Sequence, residues 1–202
     1  MAPAQKKKWG VGGTIFFMVC CAAVIIGIYL SITRGKDRNT LELEVKETEA
    51  DVLLGKDLEK SYPPTAREVL KLYSRITKCI YNDELSPDTT RKLMGMLREL
   101  YTDELRDNNR EEDQLALLLG EVTKYHNDKM TIYSYTIDSG ANARKIETVA
   151  GSTTLINMYF TIRSEGKMDR AYEEFSLVLD DKGRWKIAAW RPTEETNVSD
   201  ED

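Results

Sequence analysis

Thr154-Leu-Ile-Asn-Met-Tyr-Phe-Thr-Ile-Arg163 is the clearest strand in the chain. Ile156, Met158, Phe160 and Ile162 point one way and Leu155, Asn157, Tyr159 and Thr161 the other, the period of two that a pleated backbone imposes. Ser164-Glu-Gly-Lys167 follows with hairpin chemistry. Met168 to Leu179 then returns, with Ala171, Phe175, Leu177 and Leu179 on one face. Asp180-Asp-Lys-Gly183 turns the chain again. Arg184 to Arg191 closes the set, Trp185, Ile187 and Ala189 alternating against Lys186, Ala188 and Trp190. Turns this short join antiparallel neighbours.

Working outward towards the N-terminus, Ala150-Gly-Ser152 marks a turn or bulge and Lys145 to Val149 a further strand. Asp138-Ser-Gly-Ala-Asn142 is a turn. Thr131 to Ile137 is strand-like, with Tyr133 and Tyr135 on one face. Before Met130 the period is helical. Pro64 to Tyr81 carries the stripe Val69, Tyr73, Ile76 and Ile80, widened by Leu70 and Cys79, and proline suits a helix's first position. Ser86-Pro-Asp88 opens a second helix with an N-cap hydroxyl, a proline and an acid at the positive end of the dipole. Leu93, Leu97, Leu100 and Tyr101 form its stripe, and Leu105 extends it by a turn. A third helix runs from Arg110 to about His126 behind a capping pair of Asn109 and Glu112, with Leu115, Leu118, Leu119 and Val122 on its apolar face. Three helices followed by a meander of four to five strands define an α+β domain over residues 63–193, the sheet burying one face against the helices.

Val11 to Ile32 contains no charged residue. Roughly 22 residues at ~1.5 Å rise make a helix long enough to cross a bilayer's hydrocarbon core. Residues 1–10 then form a short basic cytoplasmic segment, with Lys6, Lys7, Lys8 and Trp9 beside the span at residues 11–33, which predicts N-in, C-out insertion. A cleaved signal peptide is the alternative, but its apolar run is shorter and ends in small residues. Residues 34–62 read as a charged, extended stalk that partly docks on the domain, although Leu41, Leu43 and Val45 also alternate as a short edge strand would. Residues 194–202 read as an acidic, disordered tail.

Residues 1–38 hold six Lys and Arg against Asp37 alone, leaving a remainder of net charge −10. Such a body is a poor nucleic-acid binder, since phosphate contacts need a basic patch. Cys79 alone lies outside the span, so no intrachain disulfide forms there and a cysteine metal site is disfavoured. No cluster of ligating side chains suggests a metal, and no glycine-rich loop between strand and helix suggests a nucleotide or other cofactor.

The last hairpin, Asp181-Lys-Gly-Arg-Trp-Lys-Ile187, together with an aromatic-rich helix after Tyr62-Pro-Pro-Thr65, resembles the nuclear transport factor 2-like superfamily, a cone-shaped cystatin-like fold. With its anchor the whole resembles uncharacterised membrane-anchored bacterial proteins of that type. The single-pass form also resembles inner-membrane assembly factors of type IV secretion systems and domains that build envelope or sporulation complexes. The superfamily includes isomerases, dehydratases, ligand carriers and inactive scaffolds, so fold does not settle function.

Resemblance to ketosteroid isomerase implies a cavity carboxylate with a phenolic partner. Glu173 shares a strand face with Ala171, Phe175 and Leu177, and burial there would raise its pKa into a useful range. Tyr133, Tyr135 and Tyr159 are candidate hydroxyls. The plainer alternative sets Glu173 at an exposed strand end and the tyrosines in sheet packing. Trp190, pointing away from the Trp185 face, is either an exposed interface anchor or packing on the sheet's second face. His126 suits a helix C-terminus better than a catalytic pair. The expectation is a non-enzymatic interaction module on a membrane anchor, with other envelope proteins or a second copy as partner. A cavity that binds or isomerises a small molecule through Glu173 is the alternative.

Overall fold

The computed structural model describes residues 47–139, 143–148 and 151–194. Among these, five helices precede five strands: α1 (Glu49–Leu54), α2 (Ala66–Asn82), α3 (Pro87–Glu99), α4 (Asp103–Asn108), α5 (Glu111–Asn127), β1 (Met130–Ile137), β2 (Arg144–Thr148), β3 (Gly151–Ser164), β4 (Lys167–Leu179) and β5 (Trp185–Pro192). The α+β class expected from the change of period is what forms. The span at 11–33, the alternation at Leu41 to Val45 and the tail beyond Glu194 lie outside the described residues. Among the described residues no helix is long and apolar enough to cross a membrane.

The described part of the 34–62 stretch docks on the domain, but as a capped helix and not as extended chain. Thr48 caps α1 through a reciprocal pair, Asp51 N–H donating to Thr48 Oγ1 (3.2 Å) and Thr48 N–H donating to Asp51 Oδ2 (3.1 Å). Ala50, Leu53 and Leu58 are buried in the main core. A six-residue helix gives too short a window for its period to stand out from the surrounding charges.

The helix boundaries shift where caps compete. Thr65, not a proline, starts α2 by accepting from Glu68 N–H (3.2 Å), and the stripe Val69, Tyr73, Ile76 and Ile80 is buried as expected. Ser86 caps α3 with Pro87 in its first turn. The expected continuation to Leu105 does not occur. Ile187 N–H donates to Leu100 C=O (2.8 Å) and Thr102 N–H donates to Ile187 C=O (2.9 Å), so the sheet captures the chain and Thr102 caps a separate α4. The Asn109–Glu112 capping pair is also absent: Arg110 holds the cap position without a side-chain bond, and Asn109 Nδ2 donates back to Leu105 C=O (2.8 Å).

The sheet is antiparallel in the order β1-β3-β4-β5, with β2 paired to the first half of β3 and β1 to its second half. Ile156, Met158 and Phe160 are buried against the helices. Glu165 and Gly166 both take positive φ, 49° and 81°, as a two-residue hairpin demands. Leu179, expected inside, is the last residue of β4 and is exposed.

Two bulges alter the alternation read from sequence. In β1 the register passes from Ile132↔Ile162 to Ser134↔Thr161, leaving Tyr133 as the extra residue. Helix α2 holds this irregular edge: Asn82 bonds both backbone groups of Ile132 (2.8 and 2.9 Å), and Lys78 Nζ donates to Tyr133 C=O (2.7 Å). Tyr133 and Tyr135 therefore face opposite ways, correcting the single face expected. In β5 the register passes from Leu177↔Ile187 to Ser176↔Ala189, leaving Ala188 as the extra residue. Trp190 then pairs with Phe175 and turns towards the helices, on the Ile187 side and not away from it.

Candidate functional site

Helices and sheet do not close fully on each other. Between them lies a cavity of about 430 Å³. Strand residues Ile132, Phe160, Ile162, Ala171, Glu173 and Trp190 form one wall. Tyr73, Ile80 and Tyr81 of α2, Met94 and Leu97 of α3, Tyr101, and the α5 side chains Gln114, Leu118, Glu121 and Tyr125 form the rest. The size is typical of small-molecule sites, which occupy roughly 300–1,000 Å³ and are mostly apolar with a few convergent polar groups.

Glu173 is the polar group on the sheet side. Its register, Met158↔Glu173↔Pro192, sets it in mid-strand on the buried face and not at the exposed end of β4. Oε2 is sealed from solvent and accepts no hydrogen bond from the described residues. Burial alone pushes this carboxyl up to about 7, because taking charge out of water penalises the ionised form. The next residue shows the opposite solution. Glu174 faces the other side of the sheet, is also buried, and is held by Arg144 and by Arg191, whose Nη2 and Nε donate to Oε1 at 2.7 and 3.1 Å. One carboxylate is neutralised by two guanidinium groups while its neighbour is bare.

Four phenols surround Glu173, and its charge acts on the titration of each: Tyr73, Tyr81, Tyr101 and Tyr125. Desolvation is the main cause in every case. It raises Tyr101 to about 12, and Tyr73 well above the usual phenol range. Tyr81 Oη donates to Glu121 Oε2 (2.6 Å), and its ring meets Tyr125 edge-on at 4.7 Å. Trp190 stacks on Phe175 at 6.1 Å and 18°, with Tyr101 at 5.6 Å and Tyr73 at 6.4 Å, so four rings lock one end of the cavity. One part of Trp190 stays open to solvent, its residue exposure being 37%.

Of the residues singled out in the sequence, the structure brings Glu173 and Trp190 together. Tyr133 and Tyr159 lie on the opposite face of the sheet, beside Tyr172 and Arg170, whose guanidinium sits 4.7 Å over the Tyr159 ring. Tyr135 faces inward but into separate hollows, near Glu49, Arg75 and Lys78 on one side and Tyr62 on the other. Three of the cavity's phenols come from helices instead and Tyr101 from the segment after α3; Tyr73 reads as one more residue of an apolar stripe. The i, i+4 spacing of Tyr81 after Thr77 and Tyr73 was the available signal. His126 reaches across with Nε2 at 3.0 Å from Tyr81 C=O and so closes the last turn of α2, not only its own helix.

A family model described as a domain of unknown function, DUF6715, matches residues 1–190. No curated protein matches the chain.

Proposed function

The chain belongs to the DUF6715 family, whose match takes in both the apolar stretch at 11–33 and the cavity walls as far as Trp190, and from that premise we propose that it is a membrane-tethered ligand-binding module. In this reading residues 11–33 cross the membrane once, with the C-terminal body outside the cytoplasm. The body receives a small, largely apolar molecule in the helix–sheet cavity, in a cone-like arrangement of the nuclear transport factor 2-like kind. The uninterrupted apolar run supports the tether. One observation carries the binding function: the Glu173 carboxyl, with no hydrogen-bond partner among the described residues, lines a cavity walled by aromatic rings. A buried acceptor left without a donor costs on the order of 1–3 kcal/mol, a cost a bound molecule can relieve. Interaction with other envelope proteins or with a second copy fits the same tethered body, with ligand occupancy as its input.

Native mass spectrometry of the full chain released from lipid nanodiscs tests this. The expected result is a co-purifying small molecule that is lost in Ala171→Trp, which fills the cavity. Wild-type protein that carries no adduct, and whose melting temperature no compound of a broad apolar library shifts, would remove the proposal. A C-terminal reporter active only outside the cytoplasm tests the orientation.

A second reading has its own support. A carboxyl with a pKa near 7, ringed by phenols kept protonated by burial, is suited to moving a proton within a bound substrate while a phenol hydrogen-bonds the oxygen that gains charge. Catalysis that Glu173→Gln abolishes while leaving binding intact would select this reading over simple carriage.

A further inference from the structure

Resting on the ligand-binding reading of the cavity, we propose that its occupant is an organic monocation, a lipophilic amine or quaternary ammonium compound, with the aromatic faces receiving its apolar body and Glu173 acting as counter-ion. The first observation is the sign of the wall. The chain has 29 Lys and Arg, yet the cavity is lined by two carboxylates, Glu173 and Glu121, and by no lysine, arginine or histidine. The hollow on the Tyr62 side of the same body differs, being lined by Lys56, Lys71 and Arg75 against Glu68 alone.

The second observation is which groups face Glu173. Tyr73 and Tyr81 approach from α2, Tyr101 from the segment after α3, and Tyr125 and Glu121 from α5. None is cationic. Arg98, whose charge reaches Tyr101, directs its guanidinium to Asn109 C=O (2.7 Å), Gln114 Oε1 (2.7 Å) and Arg106 C=O (3.2 Å). Glu121 already accepts from Tyr81. Glu173 is therefore the carboxylate left without a partner.

The third observation is the aromatic wall. The rings of Tyr73 and Tyr101 lie 6.4 and 5.6 Å from that of Trp190, and the faces of such rings attract cations, most strongly when water is excluded. The three classes of occupant are then separable. An anion meets two like charges in a medium of low dielectric constant. A neutral apolar molecule fits the walls but leaves the Glu173 carboxylate unpaired. A cation pairs with that carboxylate and with the rings together.

Three probes decide the matter: benzyltrimethylammonium, its neutral isostere neopentylbenzene, and an anion of similar size, 4-tert-butylbenzoate. Each is titrated into full chain in lipid nanodiscs at pH 8, with empty nanodiscs correcting for partition, and binding is read by calorimetry and Trp emission. The expected result is at least tenfold tighter binding of the cation than of the neutral probe. In Glu173→Gln, checked by thermal melting, that preference falls at least tenfold while neutral binding persists. Trp190→Leu weakens the cation more than the neutral probe. Equal or tighter binding of the neutral or anionic probe to wild-type protein overturns the charge assignment but leaves the ligand-binding reading intact. Absence of binding and of any melting shift with all three overturns both.

Discussion

Glu173→Gln should make the domain more stable at neutral and alkaline pH by removing a charge that folding disfavours. The carboxyl titrates at about 7 in the folded chain against 4.5 for the free group. The folded state thus binds this proton more tightly than the unfolded state. Below about pH 4.5 both states are protonated and the residue contributes nothing to the difference. Between 4.5 and 7 stability falls as pH rises, and above 7 the full cost is in place. At about 1.4 kcal/mol per pKa difference of one, this cost is on the order of 3 kcal/mol. Glutamine is neutral throughout and nearly isosteric. Wild type and variant should therefore match at pH 4, and the variant should lead by about 3 kcal/mol at pH 8. With a urea dependence of about 2 kcal/mol per molar, that lead appears as a midpoint higher by about 1.5 M. The measurement is urea unfolding of the full chain in detergent micelles at pH values from 4 to 8.5, followed by the emission of Trp185 and Trp190. Taking the difference between the two proteins cancels every other titrating group that they share. Parallel stability curves across the whole range would refute the buried, unpartnered carboxyl.

Leu53→Ala tests whether residues 47–62 belong to the fold. Leu53 is fully buried, and truncation should cost about 2–5 kcal/mol in urea unfolding, whereas a stalk residue would cost almost nothing. Phe175→Ala should cost about 3–5 kcal/mol and shift Trp190 emission, since it removes the ring on which Trp190 stacks. Deleting Ala188 removes the extra residue of the β5 bulge while keeping Ser176↔Ala189 and Phe175↔Trp190 in register. The protein should fold with Trp190 still facing the cavity, and quenching by acrylamide should stay at the wild-type level; a β5 without a bulge would hold the wild-type indole outward, and the deletion would then swing it inward and lower the quenching. Arg191→Ala takes one of two guanidinium partners from buried Glu174 and should cost about 1–3 kcal/mol at pH 7 in thermal or urea unfolding.

Residues whose periodicity was uninterrupted could be read correctly without tertiary information. The β3 faces, the buried stripe of α2, the Ser86-Pro87 start of α3 and the Glu165-Gly166 turn all follow from local rules of sterics, capping and amphipathicity. The strand face of Glu173 is counted in the same way from Ala171 and Phe175, but that count does not say whether the position lies over the helices or at an exposed strand end. What failed depended on contacts between residues distant in sequence. Leu100 to Thr102 leave the helical path because Ile187, far along the chain, offers them a better set of backbone hydrogen bonds. Tyr133 parts from Tyr135, and Trp190 joins Ile187, because one extra residue in a strand reverses the parity of everything beyond it. A bulge is chosen by the pairing partner and has no signature in the strand's own composition.

From its residues alone the chain determined an apolar stretch long enough to span a bilayer, an acidic α+β body, and a carboxylate sharing a strand face with Ala171 and Phe175. Tertiary structure decided that this carboxylate meets no cation, that Tyr73, Tyr81, Tyr101 and Tyr125 gather round it, and that the Ala188 bulge swings Trp190 into the same cavity. The physical reason is that periodicity assigns a side chain to a face, whereas desolvation and pairing depend on what the rest of the fold brings to that face.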